Sequence, residues 1–256
     1  MATEPVVIYE VEGAIARVTL NRPQKRNALN DELVAGLKSA LRRAHNDHEI
    51  RVVILNGAGS DFCAGADLSA LQKIAASSVA ENLDDARSLM EVFTLLREVR
   101  VPVIAAVRGR ALAGGCGLAL GCDMVIAETE ARFVFPEVKI GFVPAMVMAI
   151  LRRNVSEKKA FELIALGGQI MASEAAAIGL INRVVDSTEF NGEVTRIGEK
   201  FSKLSASAVA MSKQLLYKID TLPFSEALES GVDVNVTARM SEDCKNGVAD
   251  FLSGHS

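Results

Sequence analysis

One stretch, Val103 to Pro144, constrains the fold more than any other part of this chain: VIAAVRGRALAGGCGLALGCDMVIAETEARFVFPEVKIGFVP. Val103 to Val107 is a short apolar run of the kind that forms a buried strand. Arg108-Gly109-Arg110 leads into Ala113-Gly114-Gly115-Cys116-Gly117, and an Ala/Leu-rich segment runs on to Gly121 as a short buried helix. The first N–H groups of such a helix have no intrahelical partner, and glycines let another group approach the backbone, so the junction is a candidate oxyanion site. The same glycines would also serve plain close packing of helix on strand. A second unit of this kind lies upstream, where Arg51 to Gly57 reads as a strand and Asp61-Phe62-Cys63-Ala64-Gly65-Ala66-Asp67-Leu68 as a turn opening a helix. Two such turns can each offer one N–H to a single carbonyl oxygen, which is the definition of an oxyanion hole.

Around these units, strands and helices alternate to about residue 190, the pattern of an α/β layer arrangement. Val6 to Glu10 and Ala14 to Leu20 read as a hairpin about Glu12-Gly13. Asn30 or Asp31 caps a helix with Leu33, Leu37, Leu41 and Ala44 on one face. Leu71 to Asn82 has little periodicity and reads as a mobile or variable loop; Leu83 to Val99 reads as a helix. Asp123 to Ala127 and Ala131 to Phe135 are short strands, and Pro144 and Ser156 open two more helices. From Phe190 onward the chain is helical, with segments over Glu193 to Leu204, Ala206 to Ile219 and Phe224 to Met240. The expected division is a core over residues 1–190 and a helical region over 191–256.

Composition excludes several classes. A net charge of -4, no Trp and two Tyr leave neither a basic stripe nor a stacking platform for nucleic acid; Arg42-Arg43 and Arg152-Arg153 read as solvated helix faces. No stretch reaches the eighteen or so apolar residues of a membrane span, and the N-terminus lacks a leader pattern, so a cytoplasmic protein is expected. Cys63, Cys116, Cys122 and Cys244 lack metal-binding spacing and read as buried thiols. His45 and His48 lie at a charged helix end and His255 at the chain end; no metal is expected.

Asp61 to Leu68, Gly109 to Asp123, and Phe135-Pro136-Glu137-Val138-Lys139-Ile140-Gly141 resemble the signatures of the enoyl-CoA hydratase/isomerase (crotonase) family, with Asn21 to Leu29 and Ala172 to Leu180 extending the likeness over nearly the whole chain. The resemblance implies a spiral ββα core, C-terminal helices that build a trimer or a hexamer of two trimers, and an acyl-CoA substrate with no separate cofactor. It places the oxyanion donors at Ala66 and Gly114 and the acid/base at Glu137. It lays CoA across Lys25, Arg26 and Ala28, near Ala64 and Leu68, with Gly117 and Met146 beside the acyl group.

Three departures matter. Hydratases of the family hold a water between two glutamates, and the first of these falls here on Gly117, which cannot carry a proton. Where the family commonly has a glycine-rich run after Pro144, this chain has Ala145-Met146-Val147-Met148. The last residues, Phe251 to Ser256, carry no basic extension of the kind that often touches CoA from a neighbouring subunit. Glu137 sits between apolar residues, a setting that raises a carboxyl pKa toward the useful range of a general acid or base. One such acid beside an oxyanion hole suffices for a 1,3 proton shift, and hydration stays open if Glu137 alone activates water. The rival reading is a family member that binds acyl-CoA or a partner without turnover. A thioester hydrolase or dehalogenase is disfavoured, because this chain has no carboxylate nucleophile on the Gly117 side.

Overall fold

The computed structural model describes residues 4–253, apart from the side chain of Leu68; His255 lies outside the described residues. β1 (Val7–Glu12) and β2 (Ile15–Leu20) form the expected antiparallel hairpin, and β2, β3 (Val52–Gly57), β4 (Val103–Val107), β6 (Met124–Glu128) and β9 (Arg183–Val185) continue it as parallel neighbours in the order β1-β2-β3-β4-β6-β9. A second sheet, β5-β7-β8, pairs β5 (Arg110–Leu112) with β7 (Arg132–Val134) in parallel and β7 with β8 (Gln169–Met171) antiparallel.

Apolar runs in β3 and β4 are continuous because both faces of the large sheet are covered. Val53, Leu55, Val103, Ala105 and Val107 face the main core beneath α1 (Asp31–Asn46) and α3 (Val79–Glu98). Val52, Ile54, Ile104 and Ala106 face a smaller cluster closed by Phe190, Val194 and Ile197 of α8 (Phe190–Ser202). Asn30 caps α1 by accepting from the Leu33 N–H, and the expected stripe Leu33, Leu37, Leu41 and Ala44 is buried.

The expected loop over Leu71 to Asn82 is instead helical: α2 (Leu68–Ala76) fills its first part and α3 begins at Val79. Ser78 and Glu81 form a reciprocal capping box at that start, so two polar side chains take over what periodicity leaves unmarked. The remaining helices are α4 (Gly114–Leu120), α5 (Ala145–Asn154), α6 (Glu157–Ala165) and α7 (Ala172–Ala177), then α9 (Ala206–Ile219), α10 (Phe224–Met240) and α11 (Glu242–Leu252). None of the described helices is long and apolar enough to cross a membrane.

α9 is fastened to the core by a buried polar latch. Lys213 Nζ donates to the carbonyls of Leu96 (2.8 Å) and Val101 (3.0 Å) and to Asp123 Oδ2 (2.7 Å). Asp123 also accepts from the Val103 N–H (2.6 Å) and the Tyr217 hydroxyl (2.6 Å). Each polar group is thereby satisfied, so the exposed alternative gains little. Lys213→Ala leaves Asp123 short of its cation, and we expect a loss of about 3–5 kcal/mol in a denaturant titration; a loss below about 1 kcal/mol would show the latch to be dispensable.

Candidate active site

The two glycine turns meet. Cys63 N–H donates to the Arg110 carbonyl (3.1 Å) and the Leu112 N–H to the Cys63 carbonyl (2.9 Å), so the first turn runs alongside β5 as a short parallel ladder. Gly115 lies flat against that ladder: a Cβ there would stand 2.3 Å from the Cys63 carbonyl oxygen. Gly65 adopts φ +77, and a side chain on it would press on the Leu112 carbonyl at 2.8 Å. Ala113, between β5 and α4, holds φ 49 and ψ -119, a strained backbone for a residue with a Cβ.

Asp61 ties the turns from beneath. Its carboxylate accepts from Arg110 Nε (2.7 Å), Arg110 Nη2 (2.9 Å) and the Arg110 N–H (3.0 Å) while only 3% exposed. The Arg110 guanidinium holds its pKa below the usual carboxylate range against the opposing effect of burial. Among the described residues no hydrogen bond engages the N–H of Ala66 or of Gly114. Ala66 is exposed and Gly114 half-buried at the N-terminal end of α4, so both N–H groups are available to a ligand oxygen.

The segment bearing Lys25, Arg26 and Ala28 is stitched to the first turn. Leu29 N–H donates to the Gly65 carbonyl (2.6 Å), Asp67 N–H to the Leu29 carbonyl (2.9 Å) and Ala64 N–H to the Arg26 carbonyl (3.0 Å). Asn27, fully buried with φ 56, accepts from the Arg22 N–H and donates to the Ala58 and Asp61 carbonyls. Arg22 bridges the two segments, reaching Asp67 (2.8 Å) and the Ala28 carbonyl. Lys25 and Arg26 remain exposed, with cationic heads in solvent beside the turn. Leu68 is the first residue of α2, capped by Asp67, whose side chain accepts from the Ser69 N–H.

Glu137 enters from the small sheet. Leu112 and Val134 are register partners, and the Ala113 N–H donates to the Val134 carbonyl (2.8 Å), so the chain three residues before Glu137 is anchored at the second turn. Glu137 begins a single 3-10 turn (Glu137–Ile140); its side chain is 8% exposed and its Oε2 is buried without a partner. Burial raises its pKa above the usual carboxylate range, a shift that its own backbone N–H only partly offsets. Its charge is felt at the buried Cys116 thiol on α4.

The other titratable groups here are set differently. Asp67 is held at about 2 by the Ser69 N–H and Arg22, so it stays ionised. Burial pushes the Cys63 thiol up to about 12 and the Cys116 thiol well up, so neither supplies a thiolate. Of Asp61, Asp67 and Glu137, only Glu137 has its pKa moved upward, toward the neutral form. Gly117 is buried on α4, and Met146 is half-buried on α5, one residue before the buried Val147. Sequence reading passed over Asn27, Arg22, Asp61 and Arg110 as positioning groups. A polar residue inside a loop motif carries no periodic signal, and the Asn27–Asp61, Arg22–Asp67 and Asp61–Arg110 partners lie tens of residues apart.

The chain is similar to proteins of one family. The enoyl-CoA hydratase/isomerase family model matches residues 10–254. A short-chain-enoyl-CoA hydratase of Clostridium acetobutylicum is 36% identical over 252 residues, covering 96% of this chain and 94% of its own. The crystal structure of an enoyl-CoA hydratase from Mycobacterium smegmatis superposes with a TM-score of 0.94 at 31% identity, covering 98% of this chain and 97% of that one. An enoyl-CoA hydratase from Polaromonas sp. JS666 gives a TM-score of 0.92 at 31% identity, with 97% of each chain covered. The chain therefore has the crotonase fold and belongs to the enoyl-CoA hydratase/isomerase family.

Proposed function

We propose that this chain is an enzyme acting on an enoyl-CoA thioester, with Ala66 and Gly114 N–H groups receiving the thioester oxygen and Glu137 as the sole acid/base. The observation that carries the reading is the partnerless Oε2 of Glu137, buried beside a strand anchored to the Gly114 turn. A carboxyl group left unsatisfied in an apolar setting gives up stability, and a raised pKa suits it to carry a proton at neutral pH. Two donors on the oxygen would stabilise the enolate by roughly 3–4 kcal/mol each. Lys25 and Arg26 are exposed and suit CoA phosphates, with Ala28 and Ala64 lining the path and Met146 toward the acyl end.

The favoured reaction is migration of a double bond between the 3 and 2 positions rather than hydration, because Gly117 brings no second acid. The shift consumes no electrons, so the thioester is the whole reactant and no cofactor is required. The Clostridium acetobutylicum relative bears a hydratase name, and hydration by Glu137 alone is the second reading. Leu216, Phe224, Leu228 and Val232 expose apolar surface on α9 and α10, which supports assembly through these helices as a trimer or a pair of trimers.

Two outcomes are expected. In heavy water the wild type exchanges α-protons of an acyl-CoA thioester, and Glu137→Gln lowers that rate by about 10²–10⁴-fold; undiminished exchange in the variant rejects Glu137 as the base, and no exchange in the wild type rejects the reading in favour of a non-catalytic binder. In thermal melts Glu137→Gln is more stable than the wild type at neutral pH by about 1 kcal/mol, because it removes an unpaired buried charge. A folded-state pKa above the unfolded one means that wild-type stability is retained at low pH and lost as pH rises through the raised value. The gap should therefore close on acidification; a constant gap would place Glu137 in solvent.

A further inference from the structure

Two departures from the family pattern meet at one point in the interior. A Cβ built on Gly117 would stand 3.0 Å from Phe93 Cζ and 3.0 Å from Val147 Cγ2, both contacts too tight for an unaltered neighbour. Phe93 comes from α3 and Val147 from α5, the helices on either side of α4, and both side chains are buried. One turn further along α4, Gly121 meets Leu96 and Ile150 of the same two helices. The side chain missing at 117 has therefore not left a void: a phenyl ring and a valine methyl have closed over it, as interior packing density requires. Gly117 lies three residues after Gly114, within one turn of the helix end that carries the unpartnered N–H.

We propose that Phe93 and Val147 form a dry wall beside the reacting carbons and direct the enolate to proton migration and away from water addition. This rests on the enolate reading above and names the residues that set its outcome. In migration, Glu137 takes a proton from C2 of a 3-enoyl thioester, the electron pair shifts through the dienolate, and the proton returns at C4, leaving the double bond between C2 and C3. Nothing else is consumed. Hydration adds one water, hydroxyl to C3 and proton to C2, and that water must be held by two or more polar partners while it is deprotonated. Against a phenyl edge and a methyl group it has only the Glu137 carboxylate.

The experiment compares full-length wild type, Phe93→Gln, Val147→Thr and Gly117→Glu on 2-enoyl-CoA and 3-enoyl-CoA, with water addition and double-bond migration measured separately; the two wall variants each give a water a polar partner at nearly unchanged volume. Wild type should migrate the double bond without appreciable hydration, and each wall variant should raise the ratio of hydration to migration by about tenfold. Gly117→Glu should lower the melting temperature, and adding Val147→Gly to it should restore part of that loss, a coupling that reads the packing independently of turnover. An active wild type whose product ratio ignores both wall substitutions overturns the proposal, as does a Gly117→Glu variant that melts like wild type. Absence of both reactions and of α-proton exchange in wild type instead rejects the enolate reading, and the wall's role falls with it.

Discussion

The contact on which this site depends is the face-to-face packing of two backbone turns, with Gly115 laid against the Cys63 carbonyl and the Cys63–Arg110–Leu112 ladder holding them in register. Backbone N–H groups can be aimed at one oxygen only if the segments bearing them cannot drift, and side chains at the contact would force them apart. The strained Ala113 and the left-handed Gly65 are the local conformational consequence of that approach. The Asp61–Arg110 pair and the Arg22–Asp67 bridge then fix the turns to each other and to the segment carrying Lys25 and Arg26.

Against this rigid frame, two acid groups from different motifs, Asp67 and Glu137, behave in opposite ways. Asp67 receives a backbone N–H and a guanidinium and is locked in its charged form, serving as a strut. Glu137 receives neither at Oε2, and its burial favours the neutral form. The difference in role follows from the environment, since the two residue types have similar intrinsic acidity. Gly117 adds the converse lesson, because an absent side chain has been answered by larger neighbours on α3 and α5.

Much of this architecture was legible in the sequence. The two apolar strands running into glycine turns were, and so were α9 and α10, whose bounds match their apolar spacing. The start of α3 was misread because its signal is a Ser78/Glu81 capping box and not a hydrophobic stripe. β5 and β8, three residues each, are too short for a period and exist because β7 lies between them. The positioning pairs were illegible for another reason: Asp61 and Arg110 are 49 residues apart, Arg22 and Asp67 45, and Asp123 and Lys213 90. Pairing at such separations is decided by the fold as a whole.

The proposed function requires that the Ala66 and Gly114 N–H groups share one thioester oxygen. Its most direct test is the infrared difference spectrum of a bound acyl-CoA thioester labelled with carbon-13 at the carbonyl, recorded for wild type and for Ala66→Pro, which removes one donor. Convergence predicts a carbonyl band moved to lower frequency on binding to wild type, and a clearly smaller shift in the variant at saturating ligand. A band that stays at its solution frequency in wild type, or that shifts equally in both proteins, contradicts it.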